Sequence, residues 1–274
     1  MDTAGLAAIT GAAGGLGAAF ARALASDGYD LLLTDRDADA LNLLVRELQQ
    51  SAPVRVDATV ADLAEDAGTK RVQEQLATMD DLSLLINNAG FGTFSLFHEA
   101  DLARQLDMVH VHVLANMCFC HAVLPGMIAR KAGAIINVAS AGAFMRFPRD
   151  ATYIATKSFL VAFTECLAIE LVNTGVKVQA FCPAWVHTGF SASEDYARSG
   201  YRSPIPSFLY ISAEQAVSSS LRAVGKGPVA HTPTIKARMA TSLIGSRLGL
   251  ASLAQIRERR RRGVSRDGGR SNGF

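Results

Sequence analysis

The sequence predicts an α/β fold, a doubly wound parallel β-sheet flanked by helices on both faces and built as a single domain. Three observations lead there. Short runs that are apolar on both faces recur along the chain, longer segments with apolar residues at helical spacing alternate with them, and the first run passes straight into a glycine-rich turn that opens a helix. A short run with no polar alternation suits a strand covered on both sides, which is the situation of a strand in a parallel sheet.

In chain order, strands are expected over Gly5–Thr10, Asp30–Thr34, Val54–Val56, Leu82–Asn87, Ala134–Val138, Val176–Cys182 and Pro228–His231, each bounded by turn-forming residues. Helices are expected between them over Leu16–Asp27, Ala38–Gln50, Ala64–Thr78, Leu102–Arg130, Tyr153–Asn173 and Ala213–Val224. The last of these opens on Ser212-Ala213-Glu214-Gln215, in which the serine and glutamine side chains tie off the first-turn amides. The apolar stretch Val109–Ala129 approaches the ~20 residues of a membrane span. It contains His110, His112, Asn116, His121 and Pro125, and so reads as a buried or interface helix. Residues 1–233 are assigned to the α/β domain and 234–274 to a helical extension with an Arg-rich tail.

Composition narrows the function classes. At 274 residues with 49% hydrophobic content the chain buries a large core, and its net charge is only +2. Seven arginines against Glu258 and Asp267 give residues 257–274 a net +5, which leaves −3 on everything before them. No nucleic-acid partner is expected from a body so nearly neutral. Four unevenly spaced cysteines and no charged-then-apolar leader point to a reducing, cytoplasmic setting. His110 and His112 are two apart, as are Cys118 and Cys120, so on a helix neither pair converges on a metal, and no metal site is expected. Cys118, Cys120 and Cys166 read as small core residues.

The turn after the first strand reads Thr10-Gly11-Ala12-Ala13-Gly14-Gly15-Leu16-Gly17. Its glycines let the backbone approach a pyrophosphate whose charge is favoured at the helix N-terminus, the dinucleotide-binding (Rossmann) arrangement. Asp35 ends the second strand, where its carboxylate can accept from the adenosine-ribose hydroxyls and repel a 2′-phosphate. That favours NAD. Arg36 beside it could pair with a 2′-phosphate and keeps NADP as the alternative.

Four further segments follow in order: Asn87-Asn88-Ala89-Gly90 after the fourth strand, Ser140 after the fifth, Tyr153-Ile154-Ala155-Thr156-Lys157, and Cys182-Pro183 opening a loop that reaches Thr188. With the TGxxxGxG turn, they make the chain resemble the short-chain dehydrogenase/reductase family over about residues 4 to 232. The resemblance implies a cofactor site of Gly11, Gly15, Leu16, Gly17, Asp35 and Arg36, with Asp62 and Leu63 flanking adenine. It adds Asn88, Ala89 and Gly90 on the adenosine side, Tyr153 and Lys157 at the ribose, and Pro183, Val186 and Thr188 around the nicotinamide and pyrophosphate. Two positions depart from the pattern. Ala184 stands where glycine is usual, and His112 stands where the family has an active-site asparagine that helps hold a water near the lysine.

Chemistry supports the same trio. Reducing a ketone with hydride needs an acid for the developing alkoxide, and oxidising an alcohol needs the same group as a base. Tyr153 and Lys157 lie i, i+4, so a helix puts them on one face, where an ammonium would lower the phenol pKa. Ser140, at a strand's C-terminal end, can donate to the reacting oxygen. The catalytic set is therefore Ser140, Tyr153, Lys157 and His112. If His112 replaces the asparagine in function, its two nitrogens hold a water near Lys157 and add an ionisation in the neutral range, with Asn116 one turn further on as an alternative amide and a space-filling histidine as the other outcome.

Around these, Phe91, Phe144, Met145, Phe147 and Phe190 suggest a cleft for a lipophilic secondary alcohol or ketone, and Gly189–Ser207 resembles the family's substrate lid. The competing class is an NAD(P)-binding sensor or scaffold on the same fold. A homodimer or homotetramer is expected through helices 102–130 and 153–173, with Phe119, Phe159 and Phe163 as candidate contact residues. The extension, with Met239, Leu243, Ile244, Leu248, Leu250 and Leu253 before a basic run, either packs on the protein or makes peripheral membrane contact.

Overall fold

The computed structural model describes residues 4–188 and 206–239. Seven strands form one parallel sheet: β1 (Leu6–Thr10), β2 (Asp30–Asp35), β3 (Val56–Val60), β4 (Leu82–Asn87), β5 (Gly133–Val138), β6 (Val176–Phe181) and β9 (Ala230–His231). Their order across the sheet is β3-β2-β1-β4-β5-β6-β9. Two short strands, β7 (Val186–His187) and β8 (Ile211–Ser212), pair in parallel separately. The helices among the described residues include α1 (Gly15–Ser26), α2 (Ala38–Ser51), α3 (Asp66–Ala77), α4 (Leu102–Val109), α5 (Ala115–Arg130), α6 (Ala151–Glu170) and α7 (Ala213–Ala223).

The central strands bury both faces, as their unbroken apolar character requires. Ala7, Ile9, Leu31, Leu33, Leu84 and Ile86 pack into one layer with α1, α2 and α7, while Leu6, Ala8, Leu32, Leu82 and Leu85 pack into the other with α3, α5 and α6. Phe20 on α1 meets Phe181 on β6 edge to face, ring centroids 6.0 Å apart, and both are fully buried. Deleting such a ring typically costs about 3–5 kcal/mol. The serine and glutamine at the start of α7 make the reciprocal cap, Ser212 Oγ accepting from the Gln215 amide at 3.2 Å and Gln215 Oε1 from the Ser212 amide at 3.1 Å.

Four expectations are corrected. The third strand runs over Val56–Val60 rather than Val54–Val56: it is an edge strand whose Asp57, Ala58 and Val60 are exposed, so no apolar run marks it. The helix 102–130 is interrupted at His110–Leu114 by a π-helical turn, for which the apolar period carries no signal. Cys166 is exposed rather than core, whereas Cys120 is buried. Phe119 is 1% exposed and packs inward against the sheet, so it cannot supply an intersubunit contact; the exposed large apolar residues of those two segments are Leu102, Leu106, Leu114, Met117, Ile128, Ile169 and Val172. Phe159 and Phe163 remain half-buried and stack on each other at 5.5 Å. Phe190, nearly all of the lid segment and residues 240–274 of the extension lie outside the described residues.

Candidate active site

The strand order reverses between β1 and β4, and a sheet with such a switch opens a crevice at the carboxyl ends of those strands. A cleft of about 690 Å³ lies there. Each proposed cofactor residue lines it except Gly17. Gly17 is buried instead: a Cβ on it would sit 2.0 Å from the Gly11 carbonyl oxygen and 2.7 Å from Asn88 Nδ2, so its glycine serves close packing of helix on turn. Gly11, at φ +62°, lies under Ala89, whose Cα a Cβ would approach to 2.8 Å, and Gly14 has open space where a Cβ would stand. Together they leave a shallow backbone cradle ahead of the α1 N-terminus, the form that a pyrophosphate requires.

The turn is fastened to its neighbours. Asn88 Nδ2 donates to the Thr10 and Gly11 carbonyls at 3.0 and 2.8 Å, and Thr10 Oγ1 accepts from the amides of Asn88 and Ala89, both at 3.1 Å. Asp35 accepts from the Ala13 amide through Oδ2 at 2.8 Å and from the Asp37 amide through Oδ1 at 3.1 Å. The carboxylate is thereby fixed at the cleft edge with lone pairs left for a ribose. Arg36 lines the same edge and an adjoining recess of about 530 Å³ with Asp62 and Arg71.

At the other end of the cleft stand Ser140, Tyr153 and Lys157, brought together by the end of β5 and the first turns of α6. Ser140 Oγ accepts from the Gly142 amide at 3.0 Å, and a hydrogen bond between Ser140 and the Tyr153 side chain pulls the phenol pKa down. Burial outweighs this bond and, with Asp150 adding to it, pushes Tyr153 up to about 12. The Lys157 ammonium donates to the Val138 carbonyl at 2.8 Å and stands 5.9 Å from the centroid of the Tyr153 ring. Lys157 is 4% exposed, and burial takes its pKa down to about 7, with Cys182 opposing.

His112 is brought to the trio but not in the expected role. Its Nε2 accepts from the Phe91 amide at 3.0 Å and its Nδ1 lies 2.9 Å from Thr156 Oγ1, so neither nitrogen is left to hold a water for Lys157. Burial, reinforced by Lys157, holds the imidazole well below its usual range, which removes the expected neutral-range ionisation. Asn116 belongs elsewhere, accepting from the buried Cys120 thiol at 3.7 Å. Ala184 lines the cleft without positive φ, so alanine fits there unstrained.

Of the proposed substrate residues that are described, Phe91 lines the cleft, with the Arg104 guanidinium 3.7 Å from its ring centroid. Phe144 and Phe147 are exposed and Met145 is 4% exposed; the three fall on and just after the short 3₁₀ turn Ala141–Phe144, and none of them lines the cleft. Sequence reasoning missed Trp185 and Tyr210, which do line it. It also missed Asp150, whose Oδ1 is buried without a partner and whose carboxyl burial pushes up to about 6. Only its place three residues before Tyr153 hints at it in the sequence.

The profile of the family described as short chain dehydrogenase matches residues 5–198. The chain is 28% identical over 222 residues to the human inactive hydroxysteroid dehydrogenase-like protein 1, covering 80% of this chain and 67% of that one. Among solved structures, a short-chain dehydrogenase from Sphingobium yanoikuyae in complex with NADPH is 29% identical with a TM-score of 0.78, covering 90% of this chain and 95% of that one. A short-chain dehydrogenase/reductase from Burkholderia phymatum in complex with NAD is 25% identical, also with a TM-score of 0.78, covering 91% and 95%.

Proposed function

Because the chain belongs to the short-chain dehydrogenase family, we propose that it is an NAD(P)-dependent oxidoreductase acting on a secondary alcohol or ketone. One observation carries the reading: a single cleft joins a glycine cradle at one end to the convergent Ser140, Tyr153 and Lys157 at the other. The bound nicotinamide supplies or accepts the hydride. Tyr153, pushed up to about 12, keeps its proton at neutral pH and is the acid for a developing alkoxide, with Ser140 aligning the oxygen. A charged Lys157 on the same helix face favours the phenolate left behind and the reverse, base-catalysed direction. Asp35 favours NAD over NADP, and Phe91, Trp185 and Tyr210 favour a lipophilic substrate. The exposed apolar residues of α4, α5 and α6 support a homo-oligomer.

A second reading, a cofactor-binding sensor or scaffold, draws on the relative named inactive and on the departure at His112. Turnover separates the two. Purified protein is screened against lipophilic secondary alcohols and ketones with NAD(H) and NADP(H), following nicotinamide absorbance, beside Tyr153→Phe. The expected result is turnover that falls by about 10²–10⁴-fold in the variant while cofactor binding persists. A variant as fast as wild type sinks the assignment, and cofactor binding without turnover favours the sensor.

A further inference from the structure

His112 sits in the middle of the π-helical turn, 1% exposed, with both ring nitrogens bonded to protein groups. The Phe91 amide can only donate, so Nε2 is the acceptor at 3.0 Å. Thr156 Oγ1 donates its single proton to the Tyr153 carbonyl at 2.9 Å, so it must receive from Nδ1–H, also at 2.9 Å. One tautomer satisfies both, the neutral ring protonated at Nδ1. Three hydrogen bonds then run in one direction, from the Phe91 amide through His112 and Thr156 to the backbone of Tyr153.

We infer that His112 and Thr156 form a positioning bridge that ties the cleft-lining loop after β4 to the Tyr153 backbone and sets the phenol's orientation without exchanging a proton. The inference rests on the reading of Tyr153 given above. Ring geometry agrees: the imidazole meets the Tyr153 ring at 5.8 Å and 76°, and the Phe91 ring at 6.0 Å and 63°, both edge to face. Phe91 is held on its other side by Arg104, so the loop end of the bridge is anchored too.

Gly90 lets the pieces meet. A Cβ there would lie 2.8 Å from His112 Nε2 and 3.3 Å from Lys157 Nζ, so imidazole and ammonium approach the same backbone atom. Among the described residues, the titratable groups facing the imidazole are Tyr153 and Lys157, both on α6, while the loop presents only the backbone of Gly90 and Phe91 near Nε2. Protonating Nε2 would evict the Phe91 amide and set two cations together out of water, so the bridge works only with a neutral ring. The neighbouring His110 faces away, 3.5 Å from Asp66 on α3, and stands outside the bridge.

The test compares full-length wild type with Thr156→Val, Thr156→Ser, His112→Phe and the His112→Phe, Thr156→Val double variant, with folding checked by circular dichroism. Thr156→Val is nearly isosteric and keeps the question open to test if His112→Phe misfolds. Each disrupting variant should lower kcat by about 10- to 100-fold, as losing a buried hydrogen bond from a positioned group does, while the cofactor dissociation constant stays within about threefold. The Tyr153 limb of the pH–rate profile should shift in each of the three disrupting variants, and Thr156→Ser should recover most of what Thr156→Val loses. The double variant should be no slower than the slower single variant, because both break one bridge. Nitrogen-15 NMR of the wild-type imidazole should show the neutral Nδ1–H form from about pH 5.5 to 8. Wild-type kinetics in Thr156→Val, additive losses in the double variant, or a histidine that titrates in that range would each overturn the bridge. Tyr153→Phe, run alongside, separates the two failures: if it keeps turnover the reading of Tyr153 fails, and if it is dead while Thr156→Val is normal only the bridge fails. Absence of turnover with every substrate overturns both.

Discussion

Lys157 should destabilise the protein that uses it, and the size of the effect can be worked from its surroundings. The ammonium is 4% exposed, donates to a backbone carbonyl, and is brought by burial down to about 7 in the folded protein against an ordinary 10.5. The unfolded chain therefore binds a proton that the folded chain does not throughout that window. Stability must fall as pH drops from about 10.5 to about 7 and level off below, where both states are protonated. At about 1.4 kcal/mol per unit, the full span is about 5 kcal/mol. Lys157→Met removes this penalty but leaves the Val138 carbonyl without its 2.8 Å donor, which costs about 1–3 kcal/mol. The variant is expected to be roughly 2–4 kcal/mol more stable than wild type near pH 7, and to lose that advantage by about pH 10, while losing turnover. Urea denaturation of both proteins across this range measures the difference, and other titrating groups cancel in it. A stability difference that does not change with pH would refute the reasoning, as would a variant less stable at neutral pH.

Three further outcomes are expected. NADH should bind more tightly than NADPH, and Asp35→Ser should narrow the ratio by about 10-fold; equal affinities in wild type would transfer the choice to Arg36 and Arg71 beside the same edge. Gly17→Ala forces a Cβ to within 2.0 Å of the Gly11 carbonyl and should cost about 1–3 kcal/mol in thermal or urea unfolding and weaken cofactor binding, so an unaffected variant would mean that the turn is not held as described. Light scattering at micromolar concentration should report a dimer or tetramer that Leu106→Asp with Leu114→Asp dissociates, since both residues are exposed on one apolar helix system; a wild-type monomer would leave those side chains unexplained.

The sequence alone determined what local rules can carry. The order of strands and helices follows from apolar period, the α7 cap from four consecutive residues, and the cradle from glycines between a strand and a helix. Tyr153 and Lys157 share a face because helical spacing puts them there. Only the tertiary structure decided where long-range neighbours pull against those rules. The edge position of β3 removed the apolar signal by which it would be found, and Gly17 turned out to serve packing because Gly11 and Asn88 crowd it. Phe119 faces the sheet and Cys166 the surface, a choice that depends on how each helix is rotated against its layer. His112 shows the division most sharply. Its position was legible, but its role depended on a π-helical turn and on partners 21 and 44 residues away, Phe91 and Thr156. Those partners fill both nitrogens, and burial beside Lys157 keeps the ring neutral. Hydrogen-bond partners and desolvation are properties of packing, so no reading of adjacent residues could have supplied them.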